Sequence, residues 1–325
     1  MRAYKPQMRI MMNTQTKDLT IHTRTNEYQK DFWNIMHGSK ESYNKIEKYR
    51  DTITGTFPLP KTVESTYVAE LAKRSLFRRI GTVINALETG YRIFARDSND
   101  LAQWVPEGDS LPLTDGMDDF TNMPVDNNKL GTLLKLNESF VNDASFDLES
   151  HLITRFAKAF GKAEDSAFIT GNGTTMPTGL LHATAGAQEA LTAASLTYAN
   201  VTELYLSLKK EYRGDGVWLM NDETALVLRT LKDEDGNHLW RESDDSIFGK
   251  PVQYSEFMPD IETGTMPILF GDFSYYWVID RKLISVTTLF EHFIRNNQIG
   301  YLGFEFLDGK LIRREAIKGI KIVSE

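Results

Sequence analysis

The side chains that most often bind metals or act as nucleophiles are sparse in this 325-residue chain. It contains no cysteine, which removes disulfides, thiolate metal ligands and cysteine nucleophiles together. The six histidines are scattered along the chain, and none forms a His-x-x-x-His pair of the kind that binds zinc from one face of a helix. They are His22, His37, His151, His182, His238 and His292. We therefore expect no metal site, no cofactor and no catalytic residue.

Two glycine-containing segments look like ligand-binding loops but lack essential residues. Residues 171–181 begin with Gly-Asn-Gly, yet they follow a predicted helix, Met176 stands where a third glycine belongs, and no Gly-Lys-Ser/Thr follows. Residues 233–236 read Asp-Glu-Asp-Gly, but aligning Gly236 with the invariant glycine of a calcium loop puts Leu231 at the first ligand position. A Gly-x-Ser-x-Gly elbow is also missing. These patterns exclude the common nucleotide, calcium and serine-hydrolase signatures.

The densest group of ionisable side chains lies in residues 95–128, which hold eight acids and a single base, Arg96. The acids are Asp97, Asp100, Glu107, Asp109, Asp115, Asp118, Asp119 and Asp126. Two of them could act as the carboxylate pair of a glycoside hydrolase, so a carbohydrate-active enzyme is one alternative. Carboxylates in a loop rich in proline and glycine are more often solvated or paired across an interface. The composition therefore favours a contact segment.

Charge is unevenly distributed along the chain. Residues 1–57 carry a net charge of +4, and because the whole chain carries −8, the remainder carries −12. A basic arm is predicted from Arg2, Lys5, Arg9, Lys17 and Arg24. Such an arm on an acidic body favours non-specific contact with nucleic acid or an acidic neighbour, although a solvated tail has the same composition. The sequence shows no membrane-spanning run and no secretory signal, and the lack of cysteine is typical of a reducing cytoplasm.

The arm and the acidic segment need elements that position them. We predict that residues 1–77 form an extended arm carrying one or two short helices, the first of which starts near Asn26 and ends at Gly38. Alternating apolar residues in 91–96 and 129–136 predict two paired strands of a long β-hairpin with an acidic tip. About 15 residues per strand would reach up to ~50 Å. A hairpin of that length is not stable alone in water, so it should lie against another subunit.

The rest of the chain predicts a mixed α+β body. Apolar residues spaced three and four apart from Leu148 to Phe168 predict a helix of about 24 residues, roughly 36 Å long, that ends at Gly171. Further helices are predicted to begin at Asn200 and at the capping residue Asn221. Strands are predicted at residues 217–220, 251–254, 268–273, 276–279, 283–287, 302–307 and 317–323.

Several short motifs follow one another in an order that resembles a known family. The long helix ends in EDSAFITGNG (residues 164–173), and MPTGLL (176–181) follows it. The later pieces are LMNDET (219–224), residues 228–236 with Leu239-Trp240, FGKPV (248–252), Met258-Pro259, FGDF (270–273), Asp280-Arg281, FIRNN (293–297) and LGF (302–304). Over roughly residues 60–325 this series resembles the major capsid proteins of tailed bacteriophages.

The resemblance implies the Hong Kong 97-type capsid fold, an α+β fold with an N-terminal arm, an extended loop, a peripheral domain and an axial domain. Residues 1–77 would form the arm, and residues 91–129 the extended loop. Residues 78–90, 130–181 and 283–309 would form the peripheral domain, with the long helix as its spine. Residues 182–282 and 310–325 would form the axial domain.

The function implied is structural and not enzymatic. The chain would assemble into pentamers and hexamers of an icosahedral shell that encloses double-stranded DNA, which it would contact non-specifically. Scaffolding and portal proteins are expected partners, membranes are not, and the protein would assemble in the bacterial cytoplasm and reside in the virion. A nanocompartment shell of the same fold is the alternative. Either scaffolding is a separate protein, or this chain starts near a processing point.

The resemblance also suggests specific contacts. Trp104 and Leu111 are predicted as apolar anchors of the extended loop on a neighbour, where Glu107 and Asp109 would meet basic groups. Some relatives join their subunits by an isopeptide bond between a loop lysine and an asparagine, promoted by a glutamate. Asn296 or Asn297 and Glu305 are the counterparts here, but no lysine lies between Lys73 and Lys129. We therefore predict a non-covalent shell.

Overall fold

The computed structural model describes residues 22–86, 92–96, 120–143, 145–232, 236, 240 and 245–324. Helices of at least four residues are α1 (Asn26–Met36), α2 (Lys40–Ile46), α3 (Lys61–Arg74), α4 (Phe77–Ile80), α5 (Glu138–Val141), α6 (Leu148–Thr170), α7 (Tyr198–Ser207), α8 (Lys210–Arg213) and α9 (Asp222–Thr230). Strands are β1 (Phe57–Pro58), β2 (Thr82–Asn85), β3 (Arg92–Arg96), β4 (Phe120–Pro124), β5 (Asn128–Asn137), β6 (Gln188–Ala193), β7 (Val217–Met220), β8 (Ser246–Ile247), β9 (Lys250–Tyr254), β10 (Ile268–Gly271), β11 (Tyr276–Leu289), β12 (Gln298–Leu311) and β13 (Ile317–Ile322). In this part of the chain no helix is long and apolar enough to cross a membrane.

The N-terminal segment is more helical than predicted. Thr25 caps α1 by accepting a hydrogen bond from the Tyr28 amide, and Gly38 follows the helix at a φ of 98°, a left-handed conformation that suits glycine. Two further helices, α2 and α3, follow α1, whereas one or two short helices in all were predicted. Helix α3 is 14 residues long. Apolar residues of all three helices belong to the same buried core as the long helix α6. Burial of these side chains explains why residues 26–74 fold onto the body.

The long helix α6 forms as its spacing predicted. It spans 23 residues, and Asp147 caps it by accepting a 3.0 Å hydrogen bond from the Ser150 amide. Its buried stripe includes Leu152, Phe156 and Phe160. At Gly171 a Cβ would lie 2.1 Å from the Pro177 carbonyl oxygen, so only glycine allows the chain to turn so tightly here.

Helix α6 packs against a five-stranded sheet in the order β1-β11-β12-β5, with β2 also paired to β11. The two longest strands, β11 and β12, are antiparallel neighbours. Along β5 every second side chain points inward and is half-buried, and those between are exposed. One face of this sheet therefore contributes to the core with α6, and the other faces outward.

The predicted hairpin is present, but its second strand is β4 (Phe120–Pro124), so the prediction of residues 129–136 for that strand is wrong. Strand β3 pairs with β4, with Arg92 opposite Pro124 and Arg96 opposite Phe120. The strand predicted at 129–136 instead pairs with β12, with Leu133 opposite Leu302. The reason is the apolar alternation of β5, which needs a neighbour in the same sheet to bury its inward side chains under α6.

The second body of the protein is a six-stranded sheet in the order β6-β13-β10-β7-β9-β8. Strand β7 was predicted with its observed bounds, and Asn221 caps α9 by accepting a 2.8 Å hydrogen bond from the Thr224 amide, as expected. Helix α7 begins at Tyr198 behind the cap Thr197, slightly earlier than predicted. Helices α7, α8 and α9 cover a core that includes Trp218 and Phe270, whose rings stack at 4.2 Å. A third apolar cluster joins residues of the two sheets.

Candidate subunit interface

Most of the predicted contact residues lie outside the described part of the chain. This applies to the loop residues Trp104, Glu107, Asp109 and Leu111 and to the arm residues Arg2, Lys5, Arg9 and Lys17. Arg24 is described, and it is exposed just before α1. The contacts predicted for these side chains therefore stay predictions.

The base of the β3–β4 hairpin is fixed to the five-stranded sheet by a small polar network. The Asp308 carboxylate, which is 1% exposed, accepts hydrogen bonds from the Asp126 amide at 2.8 Å and from Asn128 Nδ2 at 3.2 Å. Lys310 donates to the Pro124 carbonyl oxygen and lies 3.0 Å from Asp126 Oδ2. Burial raises the pKa of Asp308, against the hydrogen bonds that favour its ionised form. This network determines how the hairpin leaves the sheet.

Beneath the same sheet lies a buried charged cluster that the sequence did not predict. Arg78 follows α3 and forms paired hydrogen bonds with Glu164 on α6, at 2.6 and 2.7 Å. Its guanidinium also donates to Asp280 on β11, at 2.8 and 3.0 Å. Side chains in these ion pairs are at most 6% exposed. The cluster therefore joins α4, which contains Arg78, to the long helix and the sheet.

Glu305 on β12 completes this cluster without a cation of its own. The Tyr67 hydroxyl on α3 donates a 3.0 Å hydrogen bond to Glu305 Oε2, while Oε1 is buried without a partner among the described residues. Burial, and next the nearby charge of Glu164, raise the pKa of Glu305 well above its ordinary value. Since one arginine already faces two carboxylates, burial and the neighbouring charge favour the protonated form of Glu305.

The outward face of the five-stranded sheet carries lysines on phenylalanine rings. Lys129 Nζ lies 3.8 Å from the centroid of the Phe304 ring, and Lys135 Nζ lies 4.7 Å from that of Phe293. Lys282 Nζ lies 5.9 Å from the Phe306 ring, and it is also paired with Asp51. We call this surface the lysine–phenylalanine face; it comprises Lys129, Lys135, Lys282, Phe293, Phe304 and Phe306.

Two glycines shape this face. A Cβ on Gly131 would lie 2.5 Å from the Phe304 ring, and one on Gly300 would lie 2.6 Å from the Phe293 ring. Both rings therefore lie directly over bare backbone, and a lysine ammonium lies near each of them. Lys129 and Lys135 are exposed, and neither has an acidic partner within the described residues. The geometry presents two uncompensated cations on an aromatic surface.

The described residues contain no group of three histidine, cysteine or acidic side chains that could hold a metal ion. Their notable features are the β3–β4 hairpin, a cationic aromatic face and an arm packed on the long helix. These features suit protein–protein contact.

Comparison with known proteins places the chain among shell-forming subunits. A family model described as the phage capsid family matches residues 55–322. The probable major capsid protein gp17 of Mycobacterium phage L5 is 27% identical over 246 residues, covering 70% of this chain and 74% of that protein. Its counterpart in Mycobacterium phage D29 is 28% identical over 245 residues, covering 71% and 74%.

Solved structures share the fold. The capsid of a native GTA particle superposes with a TM-score of 0.64 at 27% identity, covering 76% of this chain and 90% of that one. A structure from Gordonia phage Cozz gives a TM-score of 0.56 at 16% identity, covering 78% and 87%, which concerns the fold alone. The fold and the outward-facing surfaces define a capsid-type shell subunit.

The chain belongs to the phage capsid family, whose model matches most of its length. Its function is that of the major capsid protein of a tailed phage, which forms the capsid shell. The predicted Hong Kong 97-type α+β fold and the predicted capsid function are confirmed. The relatives are structural proteins, and the virion is the place where such a subunit resides.

Proposed function

We propose that this protein assembles into pentamers and hexamers that close into an icosahedral shell around double-stranded DNA, and that it has no enzymatic activity. The observation that carries the proposal is the match of the capsid family over residues 55–322. Shells arise when one subunit repeats the same few contacts under symmetry, and the hairpin and the lysine–phenylalanine face offer complementary contacts of this kind.

The two sheets support a division of the chain into two domains. The peripheral domain would contain residues 78–90, 130–181 and 283–309, and the axial domain residues 182–282 and 310–325. The five-stranded sheet with α6 and the six-stranded sheet with α7 to α9 have largely separate cores, which supports this division. The arm (residues 1–77) and the extended loop (residues 91–129) would link neighbouring subunits.

The extended loop would lie over a neighbouring subunit, with Trp104 and Leu111 as anchors and Glu107 and Asp109 facing basic groups. Eight acids of one sign within residues 95–128 repel each other unless they are solvated or paired, which supports a cationic neighbour. Deletion of residues 98–122 tests this step. A folded monomer that forms no stable shell is expected, whereas normal assembly of the deleted chain would refute the loop contact.

The further partners are a scaffolding protein, a portal protein and the packaged DNA. Arg2, Lys5, Arg9, Lys17 and Arg24 would contact DNA or an acidic neighbour through charge alone, which predicts binding that weakens with salt. Assembly would take place in the bacterial cytoplasm, where the absence of cysteine has no cost.

Electron microscopy of the purified protein, with scaffold supplied, tests the main proposal. Uniform closed shells built from rings of five and six subunits are expected. Particles that hold long double-stranded DNA distinguish a virus shell from a nanocompartment, which would instead hold an enzyme. Monomers alone under all assembly conditions would contradict the proposal.

A further inference from the structure

The exposed side of the long helix α6 carries a row of positive charges. Arg155, Lys158 and Lys162 are exposed, and their spacing of three and four residues places them on one side of the helix. Seven residues at 1.5 Å each give this row a length of about 10 Å. The two acids in the second half of the helix, Glu164 and Asp165, are buried and bonded within the subunit. The solvent side of α6 is therefore cationic from Arg155 onward.

Two arginines from α3 and α4 extend this row. Arg74 is the last residue of α3, and a Cβ on Gly161 of α6 would lie 3.1 Å from the Arg74 Cβ. Burial raises the pKa of Asp165, and the charge of Arg79 is among the effects that oppose this rise, which places Arg79 near the same part of α6. Both arginines are exposed. We call the whole set the α6 cationic surface; it comprises Arg74, Arg79, Arg155, Lys158 and Lys162.

The charge of this surface is poorly compensated within the subunit. Lys162 Nζ lies 2.9 Å from Glu256 Oε1, but the two side chains are 62% and 65% exposed, so water competes for this ion pair. The other four cations form no ion pair with a described residue; they are Arg74, Arg79, Arg155 and Lys158. Because the chain after residue 57 has a net charge of −12, this surface is a local exception on an acidic body.

The apolar content of the surface distinguishes a nucleic acid from a protein as its ligand. The apolar residues of α6 that reach the surface after Arg155 are all alanines, and each is only half-exposed; they are Ala159, Ala163 and Ala167. Protein interfaces have an apolar core enriched in aromatic residues and depleted of lysine. The lysine–phenylalanine face offers aromatic rings, whereas the α6 cationic surface offers none. Binding to DNA phosphates requires positive charge but no apolar contact.

We propose that the α6 cationic surface binds the phosphate backbone of the packaged double-stranded DNA and therefore faces the interior of the shell. This inference rests on the proposed function, since it names the surface that contacts the genome. Duplex DNA carries about one charge per 1.7 Å of its axis, so a row of about 10 Å lies opposite roughly six phosphate charges. The contact depends on charge alone and does not distinguish base sequences.

The salt dependence of DNA binding by the unassembled full-length chain tests the proposal, with a labelled short duplex followed by fluorescence anisotropy. Arg155→Gln with Lys158→Gln should lower the affinity at least about tenfold and reduce the slope of log affinity against log salt by about 1.8, because two phosphate contacts are lost. Lys129→Gln with Lys135→Gln is the matched control, since it removes the same charge from the opposite side of the five-stranded sheet. The control should retain the native slope.

The variants also separate DNA from a protein ligand. Arg155→Lys with Lys158→Arg retains the charge and should bind DNA as the native chain does, and thermal melting checks that each variant is folded. An unchanged slope for the glutamine variant of α6, or a loss of slope in the control alone, would overturn the proposal. The α6 variant should still form shells. A folded α6 variant that cannot assemble would show that the surface contacts protein, and this result would overturn the proposal as well.

The position of the surface in the shell has its own measurement. In DNA-filled particles Lys158 should react with a small amine-acylating reagent more slowly than in emptied particles, whereas Lys129 should react equally in both. Equal rates at Lys158 would show that this side of α6 does not contact the genome. Failure of the unaltered protein to form shells would instead reject the proposed function, while the anisotropy measurement on the unassembled chain would still decide whether the surface binds DNA.

Discussion

The hydroxyl of Tyr67 donates a 3.0 Å hydrogen bond to Oε2 of Glu305, and this contact joins residues 238 positions apart. Tyr67 belongs to α3 of the arm, and Glu305 belongs to the central strand β12 of the five-stranded sheet. Both side chains are buried, so the bond forms in a region from which water is excluded. It is the polar counterpart of the apolar packing between α3 and the body.

Replacement of Tyr67 by phenylalanine should destabilise the unassembled subunit by about 1–3 kcal/mol, because both oxygens of a buried carboxyl then lack a partner. The free energy of unfolding in urea measures this change. Tyr43→Phe is the matched control, since the Tyr43 ring packs edge-on against Phe57 and its hydroxyl has no partner among the described residues. The control should change stability by less than about 0.5 kcal/mol. Equal effects of the two substitutions would show that the hydrogen bond is unimportant.

Glu305 should also make the stability of the subunit depend on pH. Its folded pKa is raised well above the ordinary value of 4.5, chiefly by burial and next by Glu164. Above about pH 4.5 the unfolded chain releases a proton that the folded chain retains, so the free energy of unfolding falls as pH rises toward the folded pKa. One such group contributes a slope of at most about 1.4 kcal/mol per pH unit.

Glu305→Gln removes this titration, so the variant should lose less stability than the native chain between pH 5 and 8. Urea unfolding at each pH unit provides the comparison. Glu164 contributes to the raised pKa of Glu305, so the two carboxyls titrate together and the difference between the two curves reports this pair. Parallel curves would mean that Glu305 titrates normally.

Arg78 should be among the most sensitive positions of the subunit. Arg78→Ala leaves Glu164 and Asp280 buried with no cation between them, which is expected to cost about 3–5 kcal/mol. Arg79→Ala removes an exposed arginine one residue away and should have an effect within about 0.5 kcal/mol. The urea concentration at half-unfolding measures both. A small effect at Arg78 would indicate that its carboxylate partners simply become protonated.

Local patterns in the sequence predicted the elements that form without reference to distant parts of the chain. The three-and-four spacing of apolar residues gave α6, and the cap residues gave the start of α9, because both signals are contained within one helix. For β5 the alternation correctly indicated which side chains face inward. It could not indicate the neighbouring strand, and β12, more than 150 residues away, forms the pair in place of β3.

The sequence did not predict the buried charged cluster around Arg78, for a related reason. Glu164 lies four residues after Phe160 and four before Phe168, so it lies on the buried stripe of α6 and was recognisable as an anomaly. Its partner Arg78 is 86 residues away, and nothing local to either residue indicates the pair. The acidic composition of segment 97–119 was evident in the sequence, whereas the cationic face depends on rings and lysines from different strands.

We expect no covalent bonds between subunits. A lysine near the tip of the extended loop would be needed to attack a neighbour's asparagine, and residues 74–128 contain none. Arginine cannot replace it, since the guanidinium stays protonated and is a poor nucleophile. Lys129 lies at the start of β5, with its ammonium over Phe304.

The glutamate side of such a reaction is also unsuited. Glu305 is 3% exposed and accepts its hydrogen bond from Tyr67 inside the subunit, so a neighbour's lysine cannot reach it, although Asn296 and Asn297 lie nearer the surface. Mature particles boiled in detergent should therefore release monomers near 37.1 kDa on a denaturing gel. A control digest of the same band by mass spectrometry should recover the peptides that contain Asn296 and Asn297 unmodified. A ladder of covalent oligomers would show that another lysine forms the bond, and the shell would then not depend on loop overlap and the arm alone.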